Sequence, residues 1–225
     1  MIQETSYRIV DERRNAEMLA DEAFLQAFSA SAEILGACFV FHPVKEQAAR
    51  AFALLRDIDV ENDWPFGDAS QRAQAAACLK RCENEFPEAV SEEFSRLLRG
   101  AGFSPAPPWG SVYMDRDKVM YGRTWVALRD WMRAHAIDGR YAENDPEDQF
   151  GRLLMLASAV AHERPDVLCE LLGDHILCWS ERFLRAFSAS ARTDAYRGAA
   201  LLCEATLSDV RDLLAIEPAR RRLYK

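Results

Sequence analysis

The sequence is short of the features that mark many functional classes. Only 10 Gly and 9 Pro occur in 225 residues, 49% of them hydrophobic and 28% charged. No segment is of low complexity, so the composition describes a folded globule and not a disordered tail. No apolar run reaches roughly 18 residues, and no membrane span is expected. The opening Met1-Ile2-Gln3-Glu4-Thr5-Ser6-Tyr7 has no basic stretch leading into an apolar one, so no signal peptide is expected. Positive charge is in deficit: 28 Lys and Arg against 36 Asp and Glu leave a net charge of -8. That balance lacks the basic footprint of a nucleic-acid binder and suits a basic partner through long-range attraction.

Chemical signatures are missing too. There is no phosphate-binding G-x-x-x-x-G-K-[ST], no G-x-G-x-x-G, no H-E-x-x-H and no G-x-S-x-G elbow. Six cysteines are present, none in a C-x-x-C, and they read as reduced thiols, most of them small core residues. Cys78 and Cys82 lie one helical turn apart but have no His at ligand spacing, so neither a metal nor a cofactor is expected. The four histidines are scattered, and His175 reads as a polar core residue.

What is present is helical spacing. Phe24, Phe28, Leu35 and Phe39 form one stripe, which His42-Pro43 should end. Further helices are expected over 44–56, 70–84 and 88–99, with a loop at 57–68 around Trp64-Pro65-Phe66-Gly67. Tyr121, Trp125, Leu128 and Met132 mark another helix. Asp145-Pro146-Glu147-Asp148 predicts a helix start, with Asp145 at the N-cap and Pro146 in the first turn. Phe150, Leu153, Leu154, Ala157 and Ala161 follow on one face. Ile176, Trp179, Phe183 and Phe187 form a stripe, and Tyr196, Ala200, Cys203, Leu207, Val210 and Leu214 form the last. The one alternating stretch is Ser111 to Asp115. The expectation is an all-α fold without a sheet: a single compact multi-helix domain with two irregular loops, 100–110 and 137–144. Residues 1–26 read as a partly helical extension, 27–214 as the domain, and 215–225 as a tail whose Arg220-Arg221-Arg222 should be solvated.

Two segments stand out. In Pro107-Pro108-Trp109-Gly110-Ser111-Val112-Tyr113-Met114-Asp115-Arg116-Asp117, prolines stiffen the approach and Gly110 permits a turn. Trp109 and Tyr113 either plug the core beneath this loop or present large surfaces to a ligand. The acids Glu143, Asp145, Glu147 and Asp148 either serve a helix start or, as a cluster, receive a guanidinium.

These residues resemble the TorD/DmsD family of redox-enzyme maturation chaperones. The resemblance rests on Leu35-Gly36-Ala37 with Phe39, Trp64-Pro65, the Pro107–Tyr113 block with Asp115-Arg116, and Tyr121-Gly122. It continues through Ala127-Leu128-Arg129, Trp131-Met132-Arg133, Pro146-Glu147-Asp148, Phe150-Gly151, His175, Trp179-Ser180, Arg182-Phe183-Leu184 and Tyr196-Arg197. It implies a non-catalytic, cytoplasmic chaperone, monomeric or dimeric. The implied partner is the twin-arginine leader of a molybdopterin-dependent reductase, held until the cofactor is loaded and then passed to the twin-arginine translocase. The alternative within the family is an insertion chaperone that recognises the mature apoenzyme. A small enzyme or guanine-nucleotide binder is a third reading, against which stands the missing phosphate loop. The family usually has His where this chain has Gln149, so a role needing an imidazole would be lost while hydrogen bonding could persist.

A leader has a basic start and an apolar middle, so its receptor needs acids beside an apolar groove. The expected arginine partners are Glu143, Asp145, Glu147 and Asp148. The expected apolar contacts are Trp109, Tyr113, Phe94 and Leu97, with ordinary core packing the alternative for the last two. Asp115, Arg116, Gly122 and Gln149 complete the expected leader-binding set through the family motifs.

Overall fold

The computed structural model describes residues 6–85, 87–99, 104–138 and 145–225. Helix α1 spans Glu12–Leu19 and α2 Glu22–Val40. Asp21 starts α2 by accepting from the Ala23 and Phe24 amides. The helix stops at extended Phe41, two residues before Pro43. Its stripe of Phe28, Leu35 and Phe39 is fully buried. By length and by a mean hydropathy of 1.5, α2 could cross a membrane, although Glu22, Gln26 and Glu33 interrupt any continuous apolar run. Half of that stretch is buried inside the fold, as expected of a core helix.

Helices α3 (Glu46–Asp57), α4 (Val60–Asp63), α5 (Ala69–Arg81) and α6 (Pro87–Leu98) follow. The expected loop at 57–68 therefore contains one helical turn. Trp64 Nε1 donates to Thr206 Oγ1 at 3.0 Å and the Gly67 amide to Asp209 at 2.9 Å, fastening this segment to the final helix. Gly67 takes a φ of 89°, which an L side chain adopts poorly. A capping box between Asp68 and Gln71 then starts α5.

Next come α7 (Gly110–Met114), α8 (Arg123–Ala134), α9 (Phe150–Glu163), α10 (Leu168–Glu170), α11 (Ser180–Ser190) and α12 (Asp194–Leu213). A π-helical stretch, Leu171–Ile176, links α10 to α11. Helix α2 lies along α9, and α12 packs on α5 and α11. The α2–α9 crossing depends on paired glycines: a Cβ on Gly36 would stand 2.9 Å from the Gly151 carbonyl, and one on Gly151 would stand 2.8 Å from the Gly36 carbonyl. Under it lies an aromatic cluster of Phe39, Phe150, Phe183 and Phe187, with ring centroids about 5 Å apart.

Three expectations are corrected, and the one alternating stretch turns out helical. A sheet does form: Arg8–Ile9 (β1) pairs antiparallel with Ile216–Glu217 (β2). Ser111–Asp115 is not a strand; Ser111, Val112 and Tyr113 are all buried in succession, which a half-exposed strand does not allow, and they belong to the short α7. Helix α9 starts at Phe150 with Gln149 as its N-cap, not at Asp145. The C-terminal basic run is not simply solvated, since residues around it bond to Gly173, Tyr113 and Asp174.

Candidate functional site

The site is assembled from two loops. The proline-rich segment that ends at Trp109 runs beside the segment that precedes α9. The Phe150 amide donates to Pro108 O at 2.7 Å and the Gly110 amide to Asp148 O at 3.0 Å, so Trp109 and Gln149 face each other as an isolated β-bridge. This pairing explains the displaced helix start, because the backbone of 148–150 is committed to its neighbour across the loop and not to a helical ladder. Gln149 then does two things. Its Oε1 accepts from the Arg152 amide at 2.9 Å, capping α9, and its Nε2 donates to Phe39 O at 2.8 Å. The second bond satisfies one of the carbonyls that α2 leaves open at its end. The Gln149 amide thus holds α9 to α2 by hydrogen bonds that need no charge.

Asp148 is buried, and its Oδ2 accepts from the Ser111 amide at 2.7 Å. Burial pushes its carboxyl above the usual range, opposed by the Ser111 bond and reinforced by the nearby Asp115 charge. Trp109, Tyr113, Phe94 and Leu97 are buried as well. Tyr113 lies against Trp179, centroid to centroid 5.2 Å, and burial raises its phenol. Phe94 packs on His42 at 5.1 Å with the Arg99 guanidinium 5.5 Å from its centroid. All four of these side chains are packed in the hydrophobic core. Asp148 likewise presents no exposed carboxylate. Asp145 pairs with Arg99 at 3.1 Å. Glu143 lies outside the described residues.

Beyond α7 the chain forms the outer wall. Lys118 and Tyr121 have φ of 53° and 62°, a conformation that is uncommon for residues other than glycine and that gathers at functional sites. Asp115 accepts from the Thr124 amide and hydroxyl, the latter at 2.8 Å, and so secures the start of α8. A Cβ on Gly122 would lie 2.0 Å from Asp115 Oδ2, which explains glycine there on steric grounds. Arg116 is exposed. Glu147 accepts from Trp125 Nε1, and Arg129 lies 4.9 Å over the Trp125 ring.

These elements surround an open cleft of about 1020 Å³. Asp115, Arg116 and Gly122 line it, as do Asp174 and His175 from the π-helical stretch; Phe94, Leu97, Trp109, Tyr113, Glu147, Asp148 and Gln149 do not. Burial, aided by Arg221, pushes the His175 imidazole down to about 4. At and beside the rim are Val119, Met120, Tyr121 and Val126, four of the seven large apolar side chains exposed among the described residues. Val119 is 53% and Tyr121 50% exposed. The sequence reading did not single out Val119, Met120 and Val126. Their signal was an apolar triplet ahead of α8 and a valine off the face that buries Leu128, Trp131 and Met132. Among the described residues no group of His, Cys, Asp or Glu is arranged to hold a metal ion.

Comparison with known proteins gives the family. Residues 63–185 match the profile described as "Nitrate reductase delta subunit". The chain is 37% identical over 205 residues to a Tat proofreading chaperone DmsD from Salmonella typhimurium, covering 90% of this chain and 98% of that protein. It is 24% identical over 135 residues to a chaperone protein TorD from a Psychrobacter species, covering 52% of this chain and 61% of that one. A solved structure from Archaeoglobus fulgidus, described as a redox enzyme maturation protein, shares the fold at a TM-score of 0.50 and 17% identity, over 87% of this chain and 95% of its own. The chain therefore belongs to the TorD/DmsD family of redox-enzyme maturation chaperones.

Proposed function

We propose that this protein is a non-catalytic chaperone that binds the twin-arginine leader of a molybdopterin-dependent reductase. It acts in the cytoplasm, where the leader is still joined to the apoenzyme, and passes the loaded client to the twin-arginine translocase. The observation that carries the reading is the cleft before α8, which sets exposed apolar side chains beside carboxylates. Val119, Tyr121 and Val126 would take the apolar part of the leader, while Asp117 and Asp174 at the same cleft would meet its arginines. Apolar burial supplies most of such affinity, and the acids set encounter rate and register. Trp109, Tyr113, Asp148 and Gln149 act from beneath, by fixing the two loops that position this wall.

Titration calorimetry with a synthetic leader tests it. Replacing Val119 and Val126 together by Ser should weaken binding about tenfold, which corresponds to ~1.4 kcal/mol, with little dependence on salt. Asp117→Asn should weaken it less, and raised ionic strength should erase the difference. Wild-type protein that ignores a panel of leaders but binds leaderless apoenzyme would transfer the assignment to an insertion chaperone for the mature enzyme.

A further inference from the structure

The last residues of the sequence carry the pattern that such a cleft receives. Arg220-Arg221-Arg222 is followed by Leu223 and Tyr224, a basic run leading into an apolar one. Residues 218–225 form neither helix nor strand and run along the end of the cleft. Ala219 N donates to Gly173 O at 3.0 Å and Tyr224 N to Tyr113 O at 2.8 Å. Between those two anchors the Arg221 guanidinium stands 3.9 Å from Asp174, and Arg221 and Tyr224 both form part of the cleft wall. The Lys225 carbonyl accepts from Arg182 Nε at 3.2 Å.

We propose that residues 220–224 are a built-in surrogate leader: they occupy the Asp174 end of the cleft, and an incoming twin-arginine segment must displace them. The proposal rests on the leader-binding reading above. Three observations support it. The order of charge and apolar character in the segment matches that of a leader. The acid it engages, Asp174, lines the cleft, where its Oδ1 also accepts from the Tyr7 amide at 3.0 Å; of the other cleft acids, Asp115 is bonded by Thr124 and Asp130 by Arg133, both from α8. The segment is attached through main-chain bonds at Ala219 and Tyr224, side-chain bonds from Arg182 to Lys225 and from Lys225 to Ser104, the Arg221–Asp174 ion pair and packing of Leu223 on the core; because it belongs to no helix, it can leave without unfolding one. A tethered competitor of this kind acts at high effective concentration even when its own contacts are weak. It lowers apparent affinity for the true ligand by the fraction of time that it is docked.

The test compares leader binding by three forms: the full chain, a chain lacking residues 220–225, and the full chain with Arg221→Ser and Tyr224→Ser together. Circular dichroism and melting curves establish that each is folded, and the double variant keeps the test valid if the shortened chain is not. A segment docked nine times in ten predicts leader binding about tenfold tighter in both altered forms. A synthetic peptide of residues 218–225 should then compete with the leader on the shortened chain. Equal or weaker leader binding by the folded altered forms would overturn the surrogate-leader proposal and leave the leader reading standing. Failure of every folded form to bind a leader would overturn both.

Discussion

Asp148 and Ser111 are separated by 37 residues of sequence, yet the carboxylate accepts the Ser111 amide at 2.7 Å inside the core. The bond joins the two irregular segments that carry the family's most specific motifs. It makes Asp148 a brace of the site rather than the exposed partner of an arginine.

The pH dependence of that brace can be measured. The folded-state carboxyl titrates above its unfolded value because it is buried. The native state therefore holds its proton to higher pH than the unfolded state does, and stability is lost as pH rises through the folded value. Asp148→Asn keeps an acceptor for Ser111 and removes the titration. Its melting temperature relative to wild type should be most favourable near neutral pH and should fall behind as pH drops toward 4. A difference independent of pH in scanning calorimetry would contradict this.

His175 slopes the other way. Its imidazole is held at about 4 in the fold, against an ordinary value near 6.5. Stability tied to the neutral ring is complete above pH 6.5 and is lost as pH falls through this interval, by at most about 3 kcal/mol. His175→Gln should flatten the acid limb of a urea-unfolding series between pH 6.5 and 4 while leaving stability at pH 8 nearly unchanged. A variant curve parallel to wild type would refute the assignment.

Gly122 and Asp115 should behave as one unit. A methyl at 122 must push Asp115 away from Thr124, so Gly122→Ala should cost about 1 kcal/mol, the worth of a lost helix-start bond. Asp115→Ala should cost a similar amount, and the double variant little more than either single one. Additive losses in chemical denaturation would show that the two act separately.

Trp109, for which the sequence leaves a core plug and a ligand-facing surface both open, is buried. Trp109→Ala should lower stability by about 3 to 5 kcal/mol, as large core deletions do. Leader affinity among molecules that remain folded should change far less. Melting curves beside calorimetry separate the two effects.

Much of this architecture was legible in the sequence because helical burial repeats every three to four residues. Phe24, Phe28, Leu35 and Phe39 mark α2, and Ile176, Trp179, Phe183 and Phe187 mark the aromatic face around α11, whatever their neighbours in space. The start of α9 was not legible, since Asp145-Pro146 has the local chemistry of a helix start and only the distant pairing of 148–150 with Pro108 and Gly110 overrides it. Tyr113 and Phe94 were ambiguous for a related reason: periodicity says which side chains share a face, not whether that face is covered. The cleft itself depends on Asp174, His175 and Arg221, which lie 40 or more residues from α8 and share no local motif with it.

The pairing of Arg8–Ile9 with Ile216–Glu217 also dictates the order of events during synthesis. It joins residues 209 apart, as the Arg8–Glu217 ion pair illustrates. Closing so long a loop requires β2 to have been made, whereas α1 through α11 can collapse earlier through contacts of shorter range. The segment that follows β2 and brings Arg221 and Tyr224 to the cleft is thus the last part of the molecule to settle, and a nascent chain stalled before residue 217 would already own its aromatic core while the cleft lacked that part of its lining.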